Sequence, residues 1–177
     1  MNMIKKQRRV ALLCCHFSRN YAYYKALWAK RDVPKFNTLF WITVLNNFID
    51  IAVMEWMKLF GNYSEHHHWT KLTQDKDNFK SEMLSFCGIN EDEFKNLHKD
   101  IKKYRDEFVA HLDSNETMNI PNMAKAFEAT KFYYSQIYSQ LRVDSNIGLP
   151  SNLQQHFDDS FHNAEKYYNH NMNINLI

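Results

Sequence analysis

The stretch YRDEFVAHLD, residues 104 to 113, carries two side chains able to break a phosphodiester bond without a metal. The imidazole of His111 titrates near neutrality, so it can take the proton of a ribose 2′-hydroxyl or give one to the leaving oxygen. The guanidinium of Arg105 is always charged. It can hold a phosphate and stabilise the negative charge that grows on it in the transition state. Asp106 follows the arginine directly and can orient a neighbouring group or cap the exposed side of the helix.

Those residues need an element to position them. Asn90 and Glu93 form an N-cap and capping-box pattern. The helix they start runs to about Leu112, with Phe94, Leu97, Ile101, Tyr104, Phe108 and Leu112 on one apolar stripe. At 100° per residue, Arg105 lies about 40° to one side of Ile101 and His111 about 80° to the other. The axial gap is about 9 Å. A long arginine reaches the region of the histidine without a direct hydrogen bond. Both groups flank the seam, as side chains at the edge of a helix–helix or subunit interface do. Spacing by itself is permissive: six arginines predict roughly one chance Arg-x(4–6)-His match, and Arg9 with His16 also fits. The second match is distinguished by its place late on a capped amphipathic helix.

The rest of the chain reads as one all-α domain, an antiparallel bundle of five to six helices over residues 1–177. No alternating strand pattern bounded by turns occurs, while Gly61, Gly88 and Gly148 follow helical patterns, where a left-handed C-terminal cap is expected, and Pro34, Pro121 and Pro150 each start one. The helices are expected over about Lys6–Lys30, Lys35–Phe60, Asp77–Cys87, Asn90–Leu112, Pro121–Leu141 and Ser151–Tyr168. The second is apolar on nearly every face and is expected in the middle of the bundle. It is long enough to span a bilayer but carries Asn46, Asn47, Asp50, Glu55 and Lys58, so a membrane is not expected as a partner. A cytoplasmic location follows from the same reading, and from three cysteines in no metal or redox spacing. Hydrophobic residues make up 45% and aromatics 15% of the chain, which excludes a disordered protein. A net charge of +2 excludes a broad polycation that would bind nucleic acid by charge alone.

Other groups have chemical potential. Glu65, His66, His67 and His68 sit in one polar loop, but adjacent histidines converge poorly on one ion, and no metal or cofactor is expected. If that loop lies near the fourth helix, His66 and His68 join His98 in lining a substrate groove. Asp50 and Glu55 fall on an apolar helix and need partners. Either a cation such as Arg19 or Lys58 pairs with them, or one of them orients Arg105 or His111.

An all-α domain with Arg-x(4–6)-His near the end of a late helix resembles the HEPN superfamily (higher eukaryotes and prokaryotes nucleotide-binding domain). RDEFVAH matches its motif, including the polar residue after the arginine. SRNYAYYKALW, EWMKLFG and HHHW look like segments of bacterial proteins carrying such a domain. The resemblance covers roughly residues 10–142 and leaves the last helix, 151–168, as an addition. It implies a metal-independent endoribonuclease acting as a homodimer, toxin-like or antiviral, with RNA as substrate and a neutralising partner protein. It makes His111 the catalytic acid or base, Arg105 the phosphate-binding group and Asp106 their support. It also admits a non-catalytic module that binds a nucleotide, RNA or a protein.

Overall fold

The computed structural model describes residues 3–110 and 119–173. Within them are six α-helices and no strand: α1 Met3–Trp28, α2 Leu39–Phe60, α3 Lys76–Cys87, α4 Glu91–Tyr104, α5 Ala124–Gln140 and α6 Leu153–Asn173. Short 3-10 turns cover Pro34–Phe36, Trp69–Lys71 and Val143–Ser145, and a π-helical segment, Arg105–Ala110, continues α4.

The local chemistry explains the ends. The side chain of Asp75 accepts from Asn78 N at 3.0 Å to start α3. At α4 both halves of the capping box form, Glu93 N to Asn90 Oδ1 at 2.9 Å and Asn90 N to Glu93 Oε2 at 2.7 Å. Gly88 ends α3 in the left-handed region, φ 61°, and donates back to Leu84 and Ser85. Gly61 ends α2 for another reason. Its φ is −79°, and a Cβ there would stand 2.5 Å from the carbonyl oxygen of Met57.

Helix α1, not α2, is the centre of the bundle. Its Val10, Ala11, Cys14, Phe17, Ala22 and Ala26 are fully buried, and it packs against α2, α5 and α6. Small residues on several of its faces allow that close approach. Phe17 meets Phe127 and Gln7 donates to Gln140, so α1 and α5 run antiparallel. Tyr21 meets Phe157 and the Ser18 hydroxyl donates to the Leu153 carbonyl, so α6 returns alongside α1 in the same direction. Helix α2 buries one side, including Ile49, Ala52, Val53, Trp56 and Phe60, and leaves Leu39, Phe40, Ile42, Ile51 and Met54 exposed. It alone among the described helices is long and apolar enough to cross a membrane. Its lack of a polar face suggested burial all round, yet its main packing partners, α1 and α4, cover only part of the cylinder.

Helix α4 lies antiparallel on α2. Trp56 packs on Phe94 and on the ring of His98, and two turns further along Tyr104 reaches Asp50. This contact sets the start of the segment that carries Arg105.

Candidate functional site

The regular helix expected to run to Leu112 stops at Tyr104, and the next six residues wind as a π-helix. The wider i→i+5 turn is rare and recurs at functional sites. Two constraints hold its start. The Tyr104 hydroxyl donates to Asp50 Oδ1 at 2.7 Å, and the Phe108 ring lies 5.7 Å from the Tyr104 ring. The 100° wheel therefore does not apply beyond Tyr104. His111 lies outside the described residues.

Arg105 is a quarter exposed and faces its own neighbour. Its Nε donates to Asp106 Oδ1 at 2.7 Å and its Nη2 donates to the same oxygen. Lys102 Nζ holds the other carboxylate oxygen at 2.7 Å. The Lys102 bond, seconded by Arg105, keeps the Asp106 carboxyl below the usual carboxylate range. Two guanidinium N–H groups are thus spent on orienting the plane, and a guanidinium has five. Beside the segment runs a cleft of ≈ 510 Å³ between Asp100, Lys103 and Glu107 on one wall and Asn119–Asn122 on the other. Arg105 is not among its lining residues.

The two acids of α2 divide the expectations. Glu55 pairs with Lys58 at 3.2 Å, one of the two cations its position suggested. Asp50 takes Tyr104 and so acts on the residue before Arg105. Burial pushes the Asp50 carboxyl up, while the Tyr104 hydrogen bond pulls it the other way.

The histidine loop separates into three environments. His66 is exposed. His67 is half-buried, its pKa lowered by burial and then by Arg9 and Lys6 at the start of α1. His68 is buried, 1% exposed. Its Nδ1 accepts from Thr70 N at 3.3 Å and meets the Thr70 hydroxyl at 2.8 Å, capping the 3-10 turn. Burial pushes its pKa down to about 4, against a hydrogen bond to the Phe60 backbone, so the ring is neutral at pH 7. Among the described residues no group of three or more His, Cys, Asp or Glu is placed to hold a metal.

The loop does lie near α4, but at its beginning. His98 Nε2 stands 3.1 Å from the Gly61 carbonyl, and His68 and His98 line one pocket of ≈ 450 Å³. Gly61 and Asp50 are eleven residues apart on α2, about 16 Å along the axis. The single groove expected to join His66, His68 and His98 with Arg105 is therefore two separate places. The cause is topological: the loop continues from the C-terminal end of α2, and antiparallel α4 brings its first half there and its last turn to mid-α2. His66 lines neither place. The other Arg–His match lies two turns apart on α1, where Arg9 helps to lower the pKa of His67 and His16 that of His156.

Fold and site together define an all-α helical bundle with a clamped arginine at an α-to-π junction. Set against protein-family models, curated proteins and solved structures, the chain matches none.

Proposed function

We propose that the chain is a HEPN-type, metal-independent endoribonuclease in which His111 exchanges the proton of the ribose 2′-hydroxyl and Arg105 binds the scissile phosphate. The observation that carries this reading is the Arg105–Asp106 clamp. A guanidinium whose plane is set by two N–H···O bonds from one side is pre-oriented for a phosphate on the other. Its place on a π turn, six residues before His111, adds weight, because such turns recur at functional sites. A homodimer belongs to the same reading and is supported by the exposed apolar stripe of α2. Contiguous exposed apolar patches larger than those of an ordinary monomer mark interaction surfaces. The toxin-like or antiviral role, and a neutralising partner, rest on the family resemblance alone.

The test is cleavage of total RNA, tRNA and rRNA by the purified protein in EDTA, with wild type beside His111→Ala and Arg105→Ala. Folding and association state are checked for each. Cleavage that survives EDTA and is lost in both variants supports the proposal.

One observation favours a second reading, a module that binds RNA, a nucleotide or a protein without cutting. Asp106 already neutralises Arg105, as a purely structural ion pair would. RNA binding by a wild type that cleaves none of the three substrates selects it.

A further inference from the structure

We propose that the pocket between the start of α1, one face of α3 and the end of α5 binds a linear aliphatic polyamine, with an ammonium group at each end. No residue of this pocket takes part in the cleavage reading, and the inference is independent of it.

Asp75, which caps α3, falls with Asn78, Phe79 and Glu82 at i, i+3, i+4 and i+7, so all four share one face. With Tyr133 and Ile137 of α5 they line a pocket of ≈ 500 Å³, a size that holds small ligands. The two acids stand two turns apart, about 10 Å along the axis. Asn78 holds both: its backbone N donates to Asp75 Oδ1 and its Nδ2 to Glu82 Oε1, each at 3.0 Å. Each carboxylate keeps a second oxygen, and neither has an ion-pair partner among the described residues. No lysine, arginine or histidine among the described residues lines the pocket. Lys76 and Lys80 lie roughly 100° and 140° further round α3, on the histidine-loop side.

The second observation is Gln7 of α1, which also lines the pocket. It is 8% exposed and spends its Nε2 on Gln140 Oε1 at 2.9 Å. Its own amide oxygen has no partner among the described residues. Nor is that oxygen sealed in the core, as Glu55 Oε2 and Trp56 Nε1 are, so it opens onto the pocket. A nearly buried acceptor left open in this way calls for a donor. Phe79, Tyr133 and Ile137 are buried and give the pocket an apolar base, on which a methylene chain lies as a lysine stem does. Two carboxylates this far apart cannot share one metal ion. A single ammonium on one exposed carboxylate gains little. Two ammonium groups joined by a chain of matching length bind together, because the second contact becomes intramolecular. Extended spermidine reaches from one acid to the other, whereas putrescine falls short.

The experiment is calorimetric titration of the full chain with spermidine, diaminooctane, putrescine, butylamine and magnesium chloride at physiological ionic strength. Diaminooctane carries the charge of putrescine on the length of spermidine, so it separates length from charge. Spermidine and diaminooctane are expected to saturate the protein, with putrescine about tenfold weaker and butylamine and magnesium weaker still. Asp75→Asn with Glu82→Gln is expected to weaken spermidine binding tenfold or more. Thermal melts are expected to stay close to wild type, since asparagine caps a helix as aspartate does and glutamine still accepts from Asn78. Gln7→Met keeps the shape of the side chain but removes the open acceptor, and is expected to weaken binding several-fold. Binding that persists in His111→Ala separates this site from the cleavage reading. The proposal is overturned if spermidine does not saturate the protein, or if the double variant binds it as wild type does. It is equally overturned if putrescine, butylamine or magnesium binds as tightly as spermidine, because charge alone would then suffice.

Discussion

Tyr104 is the last α-helical residue of α4, and its hydroxyl donates to Asp50 Oδ1 of α2 at 2.7 Å, so a tether between two helices sits at the point where the winding changes. Tyr104 is 1% exposed, so phenylalanine fits its space and removes only the donor. Tyr104→Phe is expected to cost about 1–2 kcal/mol, because a half-buried carboxylate loses its partner. Asp50→Asn is expected to cost less, since an amide oxygen still accepts. It also carries a pH signature. Burial raises the Asp50 pKa in the fold, so above the ordinary carboxylate range the folded state holds the proton longer than the unfolded chain does. Stability therefore falls as pH rises through that window, and Asn removes this slope. Urea melts of both variants between pH 3 and 6 measure it; equal slopes in wild type and Asp50→Asn would contradict the assignment.

The Arg105–Asp106 clamp predicts graded effects on cleavage. Arg105→Ala removes the phosphate-binding charge and is expected to lower kcat/KM about 10²–10³-fold. Asp106→Ala leaves that charge in place but releases its orientation, for a loss of about tenfold or more, and Asp106→Asn falls between this and wild type. Steady-state cleavage of a short fluorescent RNA separates the three. A rise in both RNA affinity and cleavage in Asp106→Ala would show that the carboxylate only masks the arginine.

His68 predicts acid sensitivity. Its pKa is pushed down to about 4 by burial, against an ordinary value of about 6.5. As pH falls below about 6.5 the unfolded chain takes up a proton that the folded ring refuses until about 4. Stability is therefore lost steadily across that window. His68→Gln, which keeps an amide in place of the imidazole and does not titrate, should flatten this part of the profile even if it lowers stability at pH 7. Thermal melts in steps from pH 7 to 4 decide, and an unchanged slope in the variant would place the titration elsewhere.

Helix positions were legible wherever a local device marks them. Asn90 with Glu93 announces α4, and Gly88 closes α3 at the left-handed position its sequence context suggests. The fully helical character follows from apolar periodicity, a property of single segments. What escaped depends on the winding or on distant partners. Nothing in RDEFVA distinguishes a π turn from an α turn, because six residues are too short a window to separate the two periods. The central role of α1 was hidden because its small buried residues, Ala11, Ala22 and Ala26, look unremarkable one at a time. The Lys80–Glu91–Lys95 cluster joins α3 to α4, and only the turn between them brings it together.

The exposed face of α2 yields the last prediction. Phe40, Ile51 and Met54 lie within about 60° of one another around α2, with Leu39 at the edge of the same face, and are between 37% and 81% exposed; Ile42 lies on the opposite side from Ile51. Exposed apolar side chains clustered in this way are unfavourable in water and gain about 25 cal/mol for each Å² covered. The stripe is largely uncharged, with Thr43 and Asn47 between its apolar positions, so a second copy of the helix meets it without like-charge repulsion. Ile51→Asp with Met54→Asp puts two carboxylates into such a contact and leaves the monomer core untouched. In sedimentation equilibrium the wild type is expected to run as a dimer at micromolar concentration and the double variant as a monomer with the same helical content. If cleavage needs the paired subunits, the double variant also loses activity while still binding RNA weakly. A wild type that is monomeric at these concentrations would remove the homodimer from the proposal and leave the stripe to a different partner.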